Sequence, residues 1–342
     1  MRANKIHKNS FDAALTAGIR EILKGIYANL APVQENIASQ LRLDISDIAV
    51  WQKRACPCCG EYQQRQRLFC DCLYGMSITH CQVCDFTYTE EVLNQDYDRQ
   101  LYESTEKFYE IYLQLKKQPL YQKLEQTKAQ YIVQVANQFA EQKGMMLDIG
   151  SGIGSLVLEA KNSGWNATGI EANPTFIEES LKKGLKIVQG FFPEAMQKID
   201  LHSYDFISML DVLEHIVNPV EFLRSVKQYL SSTGILLIQV PNLNSLLIRL
   251  DGEKNNNFCI GHWSYFTPAT LDKVLQQAGF EGIFLETYIS EFDKIQKFTE
   301  VDICRVVQEL TGKSVDMNQI NIDWLHEHLL GYKIFGVYKV AV

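Results

Sequence analysis

No run of apolar residues in the chain approaches the ~20 that a membrane-spanning helix needs. The first residues, MRANKIHKNSFDAALTAG, lack the apolar centre of a secretory leader. A basic excess is missing too: 33 Lys and Arg face 41 Asp and Glu, for a net charge of −8. That balance argues against a bulk electrostatic grip on nucleic acid or on an anionic bilayer. Proline is scarce, 8 of 342 residues, and no Pro/Gly-rich linker, internal repeat or low-complexity tract divides the chain. The expectation is a cytoplasmic protein whose parts pack on one another, with no membrane partner and nucleic acid disfavoured.

Cysteine, by contrast, is crowded: seven of the nine lie between Cys56 and Cys84. In a reducing compartment such crowding reads as a metal site rather than a disulfide framework. Cys56-x2-Cys59 and Cys81-x2-Cys84 form two knuckles separated by 21 residues. Two knuckles present four thiolates, the ligand set of tetrahedral zinc. A closed four-thiolate site leaves no coordination position for chemistry, so the expected role is structural. A module of this size can hardly fold on its own apolar core. Cys58, Cys70 and Cys72 are extra, and Cys70-x-Cys72 is an alternative knuckle.

Four stretches follow one another. Residues 1–50 carry apolar positions at helical spacing (Ala14, Ile19, Ile22, Leu23, Ile26). Residues 51–96 form the cysteine module. Residues 97–140 return to helical periodicity, with Leu120, Leu124, Tyr131, Val135 and Phe139 on one stripe. From residue 141 short apolar strands alternate with amphipathic helices: MMLDIG, NATGIEA, LKIVQG, YDFISML and GILLIQV, then GIFLETY and YKIFGVYKVAV around a helical insert at about 290–330. Alternation of this kind predicts an α/β fold, a mainly parallel sheet with helices on both faces.

The first of these strands runs into LDIGSGIGSLV. Gly150, Gly152 and Gly154 permit a sharp turn and close backbone approach to a ligand. The G-x-G-x-x-G spacing of a dinucleotide site is missing, since position 155 is Ser. Asp148, two residues before the first glycine, opposes a phosphate and suits a ligand with an ammonium or sulfonium group. S-adenosylmethionine carries both and no phosphate. Glu171 closes the next strand, where a carboxylate can accept two ribose hydroxyls.

With these residues in view, 145–288 resemble a class I S-adenosylmethionine-dependent methyltransferase. LDIGSGIG is similar to the family's first motif, Glu171 to its ribose-binding acid, and DFISMLDVLEHI to its fourth-strand motif. GILLIQVPN resembles the fifth strand, and HWSYFTPATLDKVLQQAGF a downstream segment. The resemblance implies a seven-stranded Rossmann-like sheet and a cofactor set of Asp148, Gly150, Gly152, Gly154, Glu171 and Asp211. The acid that the family often places near adenine is replaced here by QGFFPEAM, which leaves Gly190 and Phe191, or Phe192, to meet the ring. Cysteine module, DYDRQLYES and transferase, in that order, resemble bacterial sugar and natural-product methyltransferases. The sugar C-methyltransferases carry a further large C-terminal domain that this chain does not match.

The acceptor is expected beyond the carboxyl ends of strands four and five. Asp211, Glu214 and His215 would share one face of a helical turn, as a divalent-metal site, or with His215 as a general base, or as pocket wall. Quinone-type O-methyltransferases have a similar acid-x-x-Glu-His pattern. His262, in CIGHWSYFTP, is the second catalytic candidate, with Trp263, Tyr265 and Phe266 to exclude water and Thr267-Pro268 opening the next helix. His326 and His328 point to different sides of a helix and read as solvated. The expected activity is methyl transfer to a small-molecule acceptor, free or carrier-bound, at a hydroxyl of a sugar or natural-product intermediate. The alternatives are an RNA or protein methyltransferase gripping its target through the cysteine module, and a non-catalytic scaffold.

Overall fold

The computed structural model describes residues 7–9, 50–69, 77–103, 106–199 and 203–341. The helical segment expected over 1–50 falls almost wholly outside these, as do Cys70 and Cys72.

A seven-stranded sheet organises the larger part. Its strands are β6 (Met145–Ile149), β7 (Asn166–Glu171), β8 (Ile187–Gln189), β9 (Tyr204–Leu210), β10 (Leu230–Pro241), β12 (Phe280–Tyr288) and β13 (Lys333–Val340), in the order β12-β13-β10-β9-β6-β7-β8. Five strands run parallel from β8 to β10, and β13 lies antiparallel between β10 and β12. The apolar runs read from the sequence are these strands, and the fold implied by the resemblance is the one observed. Phe206, Ile207 and Met209 of β9 and Ile235–Ile238 of β10 have no exposed surface, as expected for strands covered on both faces.

The stretch 97–140 resolves into three helices, Gln95–Glu103, Glu106–Lys116 and Pro119–Phe139. Pro119 occupies the first turn of the longest, where its missing N–H costs nothing. Leu124, Tyr131 and Val135 of the expected stripe are buried, while Leu120, in the opening turn, is 39% exposed. The insert after β12 contains helices Phe292–Ile295, Glu300–Thr311 and Ile322–Glu327, which enclose a small core with Leu246 and Leu247.

The cysteine module is not an appendage. Strands β2 (Arg65–Phe69), β3 (Ile78–Cys81) and β4 (Thr87–Thr89) form a sheet whose fourth strand, β11 (Ser264–Tyr265), comes from the segment after β10. Ser264 pairs with Tyr88 and Tyr265 with Thr87. A two-stranded ribbon of β1 (Trp51–Lys53) and β5 (Glu91–Leu93) flanks it. Phe86 meets Phe266 edge-on with centroids 5.3 Å apart, and Cys56, Cys81 and Cys84 share one apolar core with Leu271, Val274 and Phe280. Burying the module against the seven-stranded sheet and its covering helices supplies the apolar contact that so short a segment lacks by itself.

Candidate active site

The glycine turn holds a left-handed backbone at all three glycines, φ 74° at Gly150, 53° at Gly152 and 74° at Gly154. A Cβ at Gly150 would strike Val212 at 2.6 Å, whereas one at Gly152 would meet nothing within 4 Å. Gly150 is therefore fixed by packing, and Gly152 borders open space in which a ligand can lie. Glu171 reaches back to this turn: one carboxylate oxygen accepts from Gly152 N at 2.7 Å and the other from Asn173 N at 2.8 Å. Burial raises its pKa, while the Asn173 and Gly152 amides oppose the rise. Each oxygen keeps a second lone pair, enough to accept two hydroxyls.

Asp148 is 3% exposed. Burial pushes its pKa up to about 7, against the hydrogen bond that Ser208 Oγ donates at 2.7 Å. Glu171 and Lys128 lie within electrostatic reach. Half-neutral by itself near pH 7, the group would be fully ionised beside a cation. Phe192 is taken up by the core, edge-on to Phe222 and Tyr229. Phe191 is half-buried, with the Arg99 guanidinium 5.1 Å from its ring centre. These residues fit S-adenosylmethionine: an acid behind the turn, an acid at the ribose position, a notch at Gly152 and a flat ring beyond β8.

Asp211, Glu214 and His215 do not share a helical face. Asp211 has a left-handed backbone (φ 56°), and only Leu213–His215 form a single 3-10 turn. The turned backbone sends Asp211 to Lys333 Nζ at 2.7 Å and to Gln239 Nε2, which donates at 2.6 Å. Tyr288 OH in turn donates to Gln239 Oε1. Burial disfavours ionisation of Asp211, but the Lys333 ammonium outweighs it and holds the carboxyl well below the usual range.

The structure instead brings Glu214 and His215 to His262. The two imidazoles are edge-to-face with centroids 4.7 Å apart. One ligand atom from each of the three residues lies within 4.8 Å of the others, a set able to hold a divalent cation. His215 Nδ1 bonds to Gly261 O at 2.7 Å and His262 Nδ1 to Asn257 O at 2.8 Å. A carbonyl only accepts, so both rings carry their proton on Nδ1 when neutral, with the lone pair on Nε2. Burial lowers both pKa values, and for His262 the neighbouring His215 lowers it further. Glu214 is pushed up to about 8, first by burial and then by the charge on Asp211. Its Oε2 is buried with no hydrogen-bond partner among the described residues.

Three elements contribute residues that escaped the sequence. Lys333, at the start of β13, meets Asp211 because Pro241 of β10 pairs with it across the sheet. The helix Glu106–Lys116 places Tyr109 edge-on to Phe176 at 5.2 Å and within reach of Glu171. The same helix brings Tyr112 within reach of Asp211 and Lys333. Lys128 lies within electrostatic reach of Asp148, Asp211 and Glu214 alike. A period of three to four in 106–128 was the only available signal for the last two, and it reads equally well as packing.

The four predicted thiolates converge. Cys56 Sγ lies 3.5 Å from Cys84 Sγ, and Cys59 Sγ 3.6 Å from Cys81 Sγ. All four sulfurs fall within 4.8 Å of one another. Zinc with Zn–S bonds of ~2.3 Å in a tetrahedron requires S···S edges of ~3.8 Å, so the set fits the ion. Cys58 is buried beside the cluster without being one of the four. Of the two histidines read as solvated, His326 is buried against Thr287, while His328 is partly exposed and stacks on Trp324 at 4.0 Å.

Residues 121–284 match the family described as a methyltransferase domain. The matched segment is a little under half of the chain. Among curated relatives, the ubiquinone biosynthesis O-methyltransferase of Histophilus somni is 31% identical over 133 residues, 36% of this chain and 55% of that protein. The protein of the same name from Rickettsia prowazekii is 29% identical over 105 residues, 29% of this chain and 41% of its own length. The chain thus spans about half the length of the curated relatives it matches. Among solved structures, the plantazolicin methyltransferase BamL superposes with a TM-score of 0.47 at 14% identity, covering 72% of this chain and 97% of that one. A methyltransferase from Archaeoglobus fulgidus gives 0.46 at 20% identity, covering 63% and 94%. The matched segment includes the glycine turn, Glu171, the histidine pair and β11. The first two cysteine knuckles precede it. No helix among the described residues is long and apolar enough to cross a membrane.

Proposed function

We propose that this protein is an S-adenosylmethionine-dependent methyltransferase acting on a small-molecule hydroxyl, with His215 and His262 preparing the acceptor. The observation that carries the reading is the pair of imidazoles, both pinned through Nδ1 and held neutral by burial. When bound, S-adenosylmethionine supplies an electrophilic methyl group. Glu171 would take the ribose hydroxyls, Phe191 the adenine face and Asp148 the ammonium. Lys128, within electrostatic reach of Asp148, would neutralise the cofactor's carboxylate. Nε2 of one histidine accepts the proton of the acceptor hydroxyl as it attacks, and a neutral ring with its lone pair already on Nε2 needs no prior deprotonation. Trp263 and Phe266, both without exposed surface, wall the segment that carries His262 and keep competing water out. The pair Asp211–Lys333 fixes the floor beside them. The curated relatives are named for O-methyl transfer, and a hydroxyl acceptor is the feature of those names that an adjacent neutral base supports.

Cys56, Cys59, Cys81 and Cys84 hold one zinc ion in this reading. The ion's place is structural, since four thiolates fill its coordination.

Calorimetry with S-adenosylmethionine tests the cofactor, and transfer of its radiolabelled methyl group to a small-molecule extract tests the activity. Binding together with label in the small-molecule fraction is expected, and label must fall when either histidine is replaced by Asn. A protein that ignores the sulfonium donor but binds a nicotinamide or flavin would overturn the assignment. Turnover that dies with a chelator and returns with a divalent cation would recast Glu214, His215 and His262 as metal ligands.

A further inference from the structure

One side chain of the cysteine module reaches both segments that carry the histidine pair. Arg54 lies between β1 and the first knuckle. Its Nε donates to Thr89 O of β4 at 2.9 Å, and its two terminal nitrogens donate to Val217 O and Trp263 O. All three acceptors are main-chain carbonyls. Val217 follows His215 by two residues, and Trp263 is next to His262. The same carbonyl of Trp263 accepts from Thr89 N at 3.0 Å, and Trp263 N donates to Glu214 O at 2.8 Å. Gly261, two residues earlier, supplies the carbonyl that holds His215 Nδ1. Trp263 is anchored besides by its indole N–H on Asp98 at 2.9 Å and by Trp51 edge-on at 6.3 Å.

We propose that Arg54 is a positioning residue for the acceptor site: its guanidinium locks the thiolate module onto the two segments that carry His215 and His262, and so fixes the tautomer of both rings. A planar fork with five donors can satisfy three carbonyls arranged around it. An ammonium is a compact point charge and cannot span the same three. Without the fork, Val217 and Trp263 lose their common donor, Gly261 shifts with its neighbour, and Nδ1 of His215 is no longer committed to a carbonyl. The zinc module then acts as the frame of the catalytic pair and has no need to grip a substrate. That agrees with its balanced charge, four Lys and Arg against four Asp and Glu over residues 51–90. The inference rests on the transfer reading for the purpose of the pair, but not for its geometry.

The test uses full-length zinc-loaded protein labelled with nitrogen-15 at histidine, and reads the imidazole nitrogens by long-range correlation near neutral pH. The two rings are assigned by single His→Asn replacements. In the parent protein both should show protonated Nδ1 and bare Nε2. In Arg54→Met both should move to averaged or Nε2-protonated signals. Bound zinc should be unchanged, and affinity for S-adenosylhomocysteine should stay within about twofold, because the fork's three acceptors are Thr89, Val217 and Trp263 and not the glycine turn. Arg54→Lys should recover part of the parent pattern. Rings in Arg54→Met that keep the parent signals would overturn the proposal. So would equal loss of tautomer order, zinc and ligand affinity together, which is what general unfolding gives. If Arg54→Met does not fold, the comparison passes to Arg54→Lys and to parent protein stripped of zinc by a chelator; parent-like ring signals in both would likewise overturn it. Failure of the parent protein to bind S-adenosylhomocysteine would sink the transfer reading and leave the tautomer result to decide the role of Arg54.

Discussion

Replacing Asp148 by Asn removes the charge behind the glycine turn while keeping the shape and the capacity to accept from Ser208 Oγ. In the free protein the carboxyl ionises at about 7, because burial raises it. A cationic ligand needs the ionised form, so binding must complete the ionisation and expel a proton. With a free pKa of about 7 and a bound value well below it, affinity should fall about tenfold between pH 8 and pH 6. About half a proton should leave per ligand at pH 7, which calorimetry in two buffers of different ionisation enthalpy measures directly. Loss of one charge-assisted hydrogen bond is worth about 1.5–3 kcal/mol, or roughly 10- to 150-fold in affinity at pH 8. Asp148→Asn should therefore bind S-adenosylmethionine that much more weakly, with a flat pH profile and no proton release. The stability of the free protein moves the other way. A carboxyl whose folded pKa is raised contributes stability that is complete below its ordinary value of 3.8 and is lost as pH climbs through about 7. The melting temperature of the parent should accordingly drop over that window relative to the Asn variant. A parent affinity that is flat from pH 6 to 8 and equal to that of the variant would refute the electrostatic selection of the cofactor.

His215→Asn and His262→Asn should each lower methyl transfer by about 100- to 10,000-fold in a single-turnover assay while leaving S-adenosylhomocysteine affinity unchanged. Because burial depresses both imidazoles, the neutral base persists in acid, and the acid limb of the rate profile should lie below pH 6.5. Lys333→Met leaves Asp211 without its cation. The cost in denaturant melts should be about 1–3 kcal/mol, less than for a dry pair because the Asp211 side chain is 36% exposed. Adding Asp211→Asn to that variant should recover most of the loss. Cys81→Ser should release the metal, as read by a colorimetric zinc assay, and lower the melting temperature, because the module's folding is tied to the ion.

The strands, the glycine turn and the two knuckles were legible because each is a local pattern: apolar runs of strand length, three glycines at alternate positions, and C-x2-C spacing. The cleft was only half legible. Glu214, His215 and His262 were visible as chemistry-bearing residues, but their meeting depends on β11 joining the cysteine sheet, a long-range pairing with no local signature. Asp211 was assigned to a helical face because a spacing of three and four residues carries no sign of the left-handed backbone that turns it away. Lys333 was read as part of a strand and nothing more, since its partner is chosen by the antiparallel register of β13 on β10. Phe191 and Phe192 are adjacent and chemically alike, and only the packing of Phe192 on Phe222 and Tyr229 separates them. His326 looked like a surface residue because two-residue spacing on a helix exposes at least one ring unless another element covers it, and here Thr287 of β12 does.

A crystal structure with S-adenosylhomocysteine bound bears most directly on the assembled cleft. The ligand's ribose should rest on Glu171, its adenine against Phe191 and its ammonium near Asp148, with the sulfur facing the His215–His262 pair and both Nδ1 atoms still on the carbonyls of Gly261 and Asn257. A ligand seated elsewhere, or a sulfur turned away from the two imidazoles, would contradict a methyl donor held by this turn and an acceptor prepared by that pair.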